Sequence, residues 1–204
     1  MDSIEKLTEY FKEFPGIGER QAKRFVYFLM ARNPNYSENL SKLILDLKKE
    51  ISQCNECFRF FNVGLRQENI CSICVDPKTD ASMLMIIEKD SDLESVKKSK
   101  NYNGKYFVLG GLVPIVEKST PTRIRLNELK DKINNNKNNL KEIILAFSLS
   151  PQGDHTDMYI KSQLRELAES LNIKISSLGR GLSTGTELEY SDNETIKNAL
   201  QNRH

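Results

Sequence analysis

The sequence predicts a multidomain α/β protein, in which a helical N-terminal domain precedes a small cysteine-rich module and a mostly parallel sheet with flanking helices. Three observations support this fold class. Apolar residues recur at helical spacing near the N-terminus, four cysteines form two close pairs, and short apolar runs then alternate with amphipathic segments. We expect four parts, at residues 1–52, 53–77, 78–176 and 177–204, of which the last is a short C-terminal strand and helix segment.

The composition is that of a charge-rich globular chain. Of 204 residues, 38% are hydrophobic and 28% are charged, yet the net charge is only +2. A nucleic-acid partner therefore has to be inferred from local patches of charge. The N-terminus lacks the apolar segment of an export signal, and no apolar run approaches the roughly 18 residues of a membrane span. We accordingly expect a cytoplasmic protein with reduced cysteines and no membrane partner.

The N-terminal domain is predicted to contain three helices. Ser37 is placed to cap the third of them. Between the first two, residues 15–18 read Pro-Gly-Ile-Gly, a breaker-rich stretch that predicts a tight hairpin. The apolar stripes of the three helices are Ile4, Leu7, Tyr10, Phe11 and Phe14; Ala22, Phe25, Val26 and Leu29; and Leu40, Leu43, Ile44, Leu47 and Ile51.

The cysteines form two C-x-x-C pairs, Cys54 with Cys57 and Cys71 with Cys74, about thirteen residues apart. Two thiolates separated by two residues can bind one metal ion from a single turn, and a second pair completes a tetrahedron. The pattern predicts a closed structural zinc site, which would order this segment by about 10 kcal/mol. Two disulfides or redox-active pairs are the alternatives. A reducing compartment and the paired symmetry argue against them.

The Pro-Gly-Ile-Gly stretch has the form of a helix-hairpin-helix motif, which points to DNA. Gly16 and Gly18 would let the backbone turn sharply and approach a partner closely. The amides at the start of the second helix would then face an anion such as a phosphate. Arg20, Lys23 and Arg24 lie on one side of that helix and would add charge-assisted contacts.

A plain helical turn with a solvated basic face is the alternative for this hairpin. Glu19 stands at the first position after the turn, where a neutral or basic residue would suit an anion better. We therefore expect modest affinity from one hairpin and higher affinity from several held together. Contacts of this kind fix position without reading base sequence, so binding should be non-specific.

The remainder of the chain alternates between predicted strands and helices. Strands are expected at 83–87, 106–109 and 143–147, with helices around Leu93 and Val96 and over 126–133 and 159–171. The tail predicts a glycine-rich turn at 179–185, a short strand at 188–190, and a helix that starts with the capping-box spacing of Ser191 and Glu194.

Acidic residues follow two of these strands. Glu88 ends the first strand, and Asp154 lies in a predicted loop after the 143–147 strand. Functional groups collect at this edge of an open α/β sheet, and the two carboxylates could hold one Mg²⁺ loosely. A two-metal site needs more carboxylates, and Gln152 occupies a place where a third would help. Solvated loop acids are the alternative. No P-loop sequence supports nucleotide hydrolysis.

The order of these parts resembles the bacterial RecR family of recombination mediators, over nearly the whole chain. The α/β part is similar to a Toprim domain, in which a glutamate and a later D-x-D pair hold magnesium. Glu88 matches the glutamate, whereas Gln152-Gly153-Asp154 keeps one acid of the pair. The resembling segments are FPGIGERQAKR (14–24), the C-x-x-C pairs, MIIE (85–88), YFVLGG (106–111), EIILA (142–146) and GLSTGTELEYSD (181–192).

The resemblance implies a non-enzymatic DNA clamp and adaptor, which acts with RecO and RecF to help load RecA on single-stranded DNA. It implies a ring-shaped homotetramer that binds single-stranded and duplex DNA, with Arg20, Lys23 and Arg24 lining the ring. Glu88 and Asp154 would then form a degenerate acidic site or partner surface. Ser183 and Thr186 depart from the family's proline and glycine, which affects the tail contacts.

Two other classes of function remain open at this point. The first is a magnesium-dependent nuclease or nicking enzyme of the Toprim type, using Glu88 and Asp154. The second is a zinc-ribbon protein that binds only other proteins. DNA binding that weakens steeply with salt would distinguish the clamp from the second alternative.

Overall fold

The computed structural model describes residues 1–64, 69–116, 124–179, 189, 191 and 195–197. The chain divides into two compact units, Met1–Ser52 and Gln53–His204. The four-part division expected from the sequence remains a prediction. In the described part of the chain, no helix combines the length and apolar character that a membrane crossing needs. The expected features of the tail lie largely outside the described residues.

The first unit contains three helices, as predicted. The first begins with a capping box, because Asp2 accepts a hydrogen bond from the Glu5 amide at 2.8 Å and the Glu5 carboxylate accepts one from the Asp2 amide. The expected cap of the third helix at Ser37 is wrong. Asn33 caps it by accepting from the Tyr36 amide at 2.9 Å, and proline supplies the first helical residue. The helices are α1 (Ser3–Lys12), α2 (Glu19–Met30) and α3 (Pro34–Glu50).

The core of the first unit is small. Ala22 and Val26 of α2 are buried, and the rings of Phe11 and Phe25 meet edge to face with centroids 5.7 Å apart. Among the described residues, α3 contributes no buried side chain, and Leu43 remains 68% exposed. The unit therefore keeps much apolar surface in contact with solvent.

The second unit begins with the cysteine segment and continues into a four-stranded sheet. The strand order is β4-β3-β5-β6, and all three pairings are parallel, which confirms the predicted α/β class. The short elements of the cysteine segment are β1 (Ile51–Gln53), β2 (Phe60–Asn62) and α4 (Ser72–Val75). The sheet and its helices are β3 (Asp80–Ile87), α5 (Asp90–Ser99), β4 (Gly104–Val108), α6 (Leu126–Asn135), β5 (Glu142–Ala146), α7 (Pro151–Leu171) and β6 (Lys174–Ser177).

Both faces of the sheet are covered, because successive side chains of β3 point to opposite sides. Leu84 and Ile86 belong to a cluster that also contains buried residues of α6 and α7. Met85 and Ile87 belong to a second cluster with Leu93 of α5. This double covering explains why the strands read as continuous apolar runs in the sequence.

In the sheet region, one strand was not predicted and one helix begins well before its predicted start. Strand β6 was not predicted, because its four residues, Lys174 to Ser177, include only one large apolar side chain. Helix α7 begins at Pro151, eight residues before the predicted start at 159, because Ser150 caps it through the Gly153 amide. Asp154 therefore lies in the first turn of a helix and not in a loop.

Candidate metal centre and nucleic-acid interface

The four cysteines converge on one point. One sulfur atom from each residue lies within 4.8 Å of the other three. Cys54, Cys57 and Cys71 are buried, and Cys74 is half-buried. The Sγ atoms of Cys57 and Cys71 are 3.6 Å apart, and the Cys71 amide donates to Cys54 Sγ at 3.3 Å. Within the described residues, this is the one group of three or more side chains suited to hold a metal ion.

Backbone hydrogen bonds form the turn that carries the first cysteine pair. The Cys54 amide donates to the Arg59 carbonyl, and the Phe58 amide donates to the Cys54 carbonyl, both at 2.9 Å. Phe58 adopts a φ of +60°, which folds the chain back after Cys57. The Asn55 amide donates to the Asn69 carbonyl at 2.8 Å and ties this turn to the segment before Cys71.

Hydrogen bonds among the sulfurs lower the pKa of one thiol and raise the pKa of its partner. The bond from Cys57 holds the pKa of the Cys54 thiol well below its ordinary value, and the same bond raises the pKa of Cys57. A cysteine binds a metal ion as the thiolate. Four sulfur ligands suit zinc or an iron–sulfur cluster. If the four cysteines bound one tetrahedral metal ion, they would fill all of its coordination positions and leave none for a substrate.

The cysteine segment is joined to the sheet beside strand β4. The Val108 amide donates to the Cys57 carbonyl at 2.8 Å, and the rings of Phe58 and Phe107 pack with centroids 5.3 Å apart. The Lys105 ammonium donates to the carbonyls of two residues of the second cysteine turn, Ile73 at 3.2 Å and Cys74 at 3.0 Å.

Two ion pairs strengthen this junction. The Lys132 ammonium lies 2.9 Å from the Glu56 carboxylate and is only 9% exposed, and Arg59 lies 2.7 Å from Glu94 and is 12% exposed. The sequence analysis missed these residues. Glu56 between the first two cysteines was the available signal, but its lysine partner is far away in the chain.

The glycine turn in the first unit leaves the start of α2 open. Gly16 has a φ of +76°, a conformation that favours glycine, and the Ile17 amide donates to the Phe14 carbonyl at 3.1 Å. Gly18 is extended and provides no side chain to cap α2. A methyl group at either glycine would meet no described atom within 4 Å. The first turn of α2 therefore has no side-chain cap, and uncapped amides at a helix start can bind an anion.

The three predicted basic residues are all exposed on α2, but they are not equivalent. The Lys23 ammonium lies 2.6 Å from the Glu19 carboxylate, which lowers the pKa of Glu19 and raises that of Lys23. Arg20 and Arg24 form no ion pair with any other described residue. The two arginines are thus the positive charges that remain available beside the turn.

The predicted acidic residues share one edge of the sheet. Glu88 directly follows β3, and Asp154 lies in the first turn of α7, which follows β5. Because β3 and β5 are adjacent parallel strands, their carboxyl ends lie together. Glu88 Oε1 is 3.8 Å from the Lys89 ammonium. Gly153 fixes the approach of α7, because a methyl group there would overlap with the Ser148 carbonyl oxygen.

Comparisons with known proteins agree with this architecture. The Toprim domain family matches residues 82–178, which contain the whole parallel sheet except the first two residues of β3. The fold and the site thus define a protein in which a helical hairpin and a four-cysteine cluster precede a sheet that matches a Toprim domain. The family described as RecR, C-terminal, matches residues 181–204.

Full-length relatives identify the family. The recombination protein RecR of Phytoplasma mali is 34% identical over 203 residues, which cover 99% of this chain and 94% of the relative. The RecR proteins of Lactobacillus acidophilus and Dehalococcoides mccartyi are 32% and 34% identical, over 98% of this chain and 96% and 93% of the relatives. The chain belongs to the RecR family of recombination proteins. The resemblance seen in the sequence is confirmed.

Proposed function

We propose that this chain is a non-enzymatic, DNA-binding clamp and adaptor in recombinational repair. The observation that carries the proposal is the start of α2, where no side chain caps the helix and where Arg20 and Arg24 form no ion pair with another described residue. Backbone amides at a helix start and guanidinium groups both bind phosphate oxygens. Neither reads the base edges, so the binding is independent of sequence. Lys23 adds a further phosphate contact when a phosphate competes with Glu19 for its ammonium group.

The metal in this proposal is one structural zinc ion bound by Cys54, Cys57, Cys71 and Cys74. Support comes from the convergence of four sulfurs and from the burial of three of them. Four thiolates fill the tetrahedral coordination of zinc, so the ion has no position for a substrate. Its role is to hold two short turns together where the apolar core is small.

The acidic edge is proposed as a partner surface and not as a catalytic centre. Glu88 and Asp154 share the edge, while Gln152, on the same turn of α7, carries no charge. Phosphoryl transfer with two metal ions needs more carboxylates than this pair supplies. We therefore assign no catalytic residue and no firm Mg²⁺ site.

Family membership supports the wider proposal about partners and assembly. We propose that the chain acts in the cytoplasm with RecO and RecF to help load RecA on single-stranded DNA, as a tetrameric ring. A single hairpin with two free arginines would bind weakly. Several hairpins held in one ring would raise the affinity through effective concentration.

The DNA-binding proposal is tested by fluorescence anisotropy with a labelled oligonucleotide over a range of salt concentrations. Changing Arg20 and Arg24 together to Glu should weaken binding by about tenfold to a hundredfold and flatten the dependence on salt. A matched control changes Lys42 and Lys48, two exposed residues of α3, to Glu, and should keep the affinity nearly unchanged. Equal effects of both charge reversals would refute the hairpin as the contact.

The nuclease alternative is tested with supercoiled plasmid and Mg²⁺. The clamp proposal expects no nicking by the purified, zinc-loaded protein above the background of a Glu88→Ala variant. Nicking that disappears in Glu88→Ala would overturn the non-enzymatic assignment. The protein-only alternative predicts instead that the plasmid is not bound even in dilute buffer.

A further inference from the structure

Helix α2 has one buried side and one exposed side that changes character along its length. Ala22 and Val26 are buried, and at 3.6 residues per turn the opposite side carries residues 20, 24, 27 and 28. The first half of this side is basic and the second half is aromatic. Tyr27 is 57% exposed and Phe28 is 44% exposed.

A third aromatic ring and an arginine extend the exposed side beyond the end of α2. The Arg32 guanidinium carbon lies 4.3 Å from the centre of the Phe28 ring and 5.7 Å from that of Tyr36. The Phe28 and Tyr36 rings are 6.0 Å apart and meet at 81°. Tyr36 is itself 42% exposed. A cation is thus held against rings that still present surface to solvent.

We propose that Tyr27, Phe28, Arg32 and Tyr36 form a stacking platform for unpaired bases of a single-stranded nucleic acid. The phosphates of the same strand would be held by Arg20 and Arg24. The inference rests on the proposed function, which supplies the phosphate contacts, and it adds the class of strand that the hairpin prefers. Bases in a duplex are stacked on each other, so only unpaired bases can use the platform.

The dimensions of α2 suit this assignment. Arg24 and Phe28 are one helical turn apart, about 6 Å along the axis, and Arg20 is about 12 Å from Phe28 along the axis. The longer distance is about three or four nucleotide steps at about 3.4 Å each in a stacked strand. A strand lying along α2 would therefore meet the guanidinium groups first and the rings a few nucleotides later.

The order of cations and rings along this side of the unit suits a single-stranded nucleic acid. Arg20 and Arg24 precede the rings on the same side of α2, and the Arg32 guanidinium lies against the Phe28 ring. Alternating cations and rings match the alternating phosphates and bases of a single strand. A second copy of this chain is the rival occupant that the experiments below distinguish.

The first experiment needs no variant. Binding of the full-length, zinc-loaded protein is measured with an oligothymidylate and with an abasic oligonucleotide of equal length and charge. The stacking of one base by an aromatic ring corresponds to about a 5- to 150-fold change in affinity, so the abasic strand should bind more weakly by a factor in this range. Equal affinities would overturn the platform. Failure to bind either strand would refute the proposed function itself.

The second experiment replaces single rings. Phe28→Leu and Tyr27→Leu keep apolar bulk but remove the ring face, and each should weaken oligothymidylate binding at least about fivefold. Neither should alter abasic binding or the salt slope, whereas Arg24→Gln should lower that slope by about 0.7. Tyr10→Leu is the matched control, because Tyr10 is an exposed ring on α1 and should leave binding unchanged.

Light scattering of the same variants tests whether a second copy of this chain, and not a nucleic acid, covers the rings. The platform predicts that Phe28→Leu keeps the mass of the native assembly. A reduced mass, together with an equal loss of affinity for the two strands, would assign these rings to an interface between copies and overturn the inference.

Discussion

The backbone amide of Val108 donates a hydrogen bond to the carbonyl oxygen of Cys57 at 2.8 Å. Val108 is the last residue of β4, which lies at one end of the four-stranded order, and Cys57 is part of the sulfur cluster. The cysteine segment thus pairs with an edge strand that would otherwise present a free amide. Because β4 is in turn paired with β3, this contact connects the sulfur cluster to the strand that ends just before Glu88.

Removing one sulfur should release the metal and destabilise the fold together. Cys57→Ser replaces a buried ligand, so zinc content measured by mass spectrometry should fall well below one ion per chain, and Tm should fall as well. Ser72→Ala, an exposed change inside the second C-x-x-C pair, is the control and should preserve both values. A Cys57→Ser protein that loses zinc but melts at the original temperature would contradict the structural role.

Lys105 should prove important for the attachment of the second cysteine turn. Lys105→Met keeps the length of the side chain but removes two hydrogen bonds, to the carbonyls of Ile73 and Cys74. We expect a loss of about 1.5–3 kcal/mol in the free energy of unfolding and faster zinc release to a chelator. Lys98→Met, at an exposed lysine of α5, is the matched control. Equal release rates for the two variants would exclude this role for Lys105.

Gly153 should not tolerate a side chain. In Gly153→Ala the added methyl group overlaps with the Ser148 carbonyl oxygen, so α7 must shift, and we expect a loss of about 1–3 kcal/mol or more. The comparison is Gly179→Ala, where a methyl group meets no described atom within 4 Å. Chemical denaturation measures both changes. Similar stabilities of the two variants would mean that the turn before α7 is not packed as described.

Glu19 should limit the affinity of the hairpin for DNA. Glu19→Gln removes a negative charge from the first turn of α2 and frees the Lys23 ammonium from an ion pair of 2.6 Å. We expect binding to strengthen by about twofold to fivefold at low salt, with a smaller gain at high salt. Asp46→Asn removes a similar pairing with Lys49 on α3 and should have no effect. Weaker binding of Glu19→Gln would contradict this account of the hairpin.

Much of the fold and of the candidate site could be predicted because the signals are local. The cysteine spacing, the glycine turn before α2 and the apolar runs of β3, β4 and β5 each lie within a few residues of sequence. Where the local signal was weak, the prediction failed. Strand β6 has few apolar residues, and the start of α7 is set by a serine cap that the sequence analysis did not use.

The pattern of residues along the chain was sufficient for the fold class, the cysteine quartet and the family, because spacing and periodicity are properties of the chain alone. It could not show that Lys105 and Lys132 bind to the cysteine segment. Nor could it show that Glu19 forms an ion pair with Lys23, or that Arg32 lies against Phe28. Those contacts depend on side-chain rotamers, and the lysine contacts also join residues distant in sequence. Packing in three dimensions determines both. Among the residues that the structure describes, it leaves Arg20 and Arg24 without an ion-pair partner beside the glycine turn.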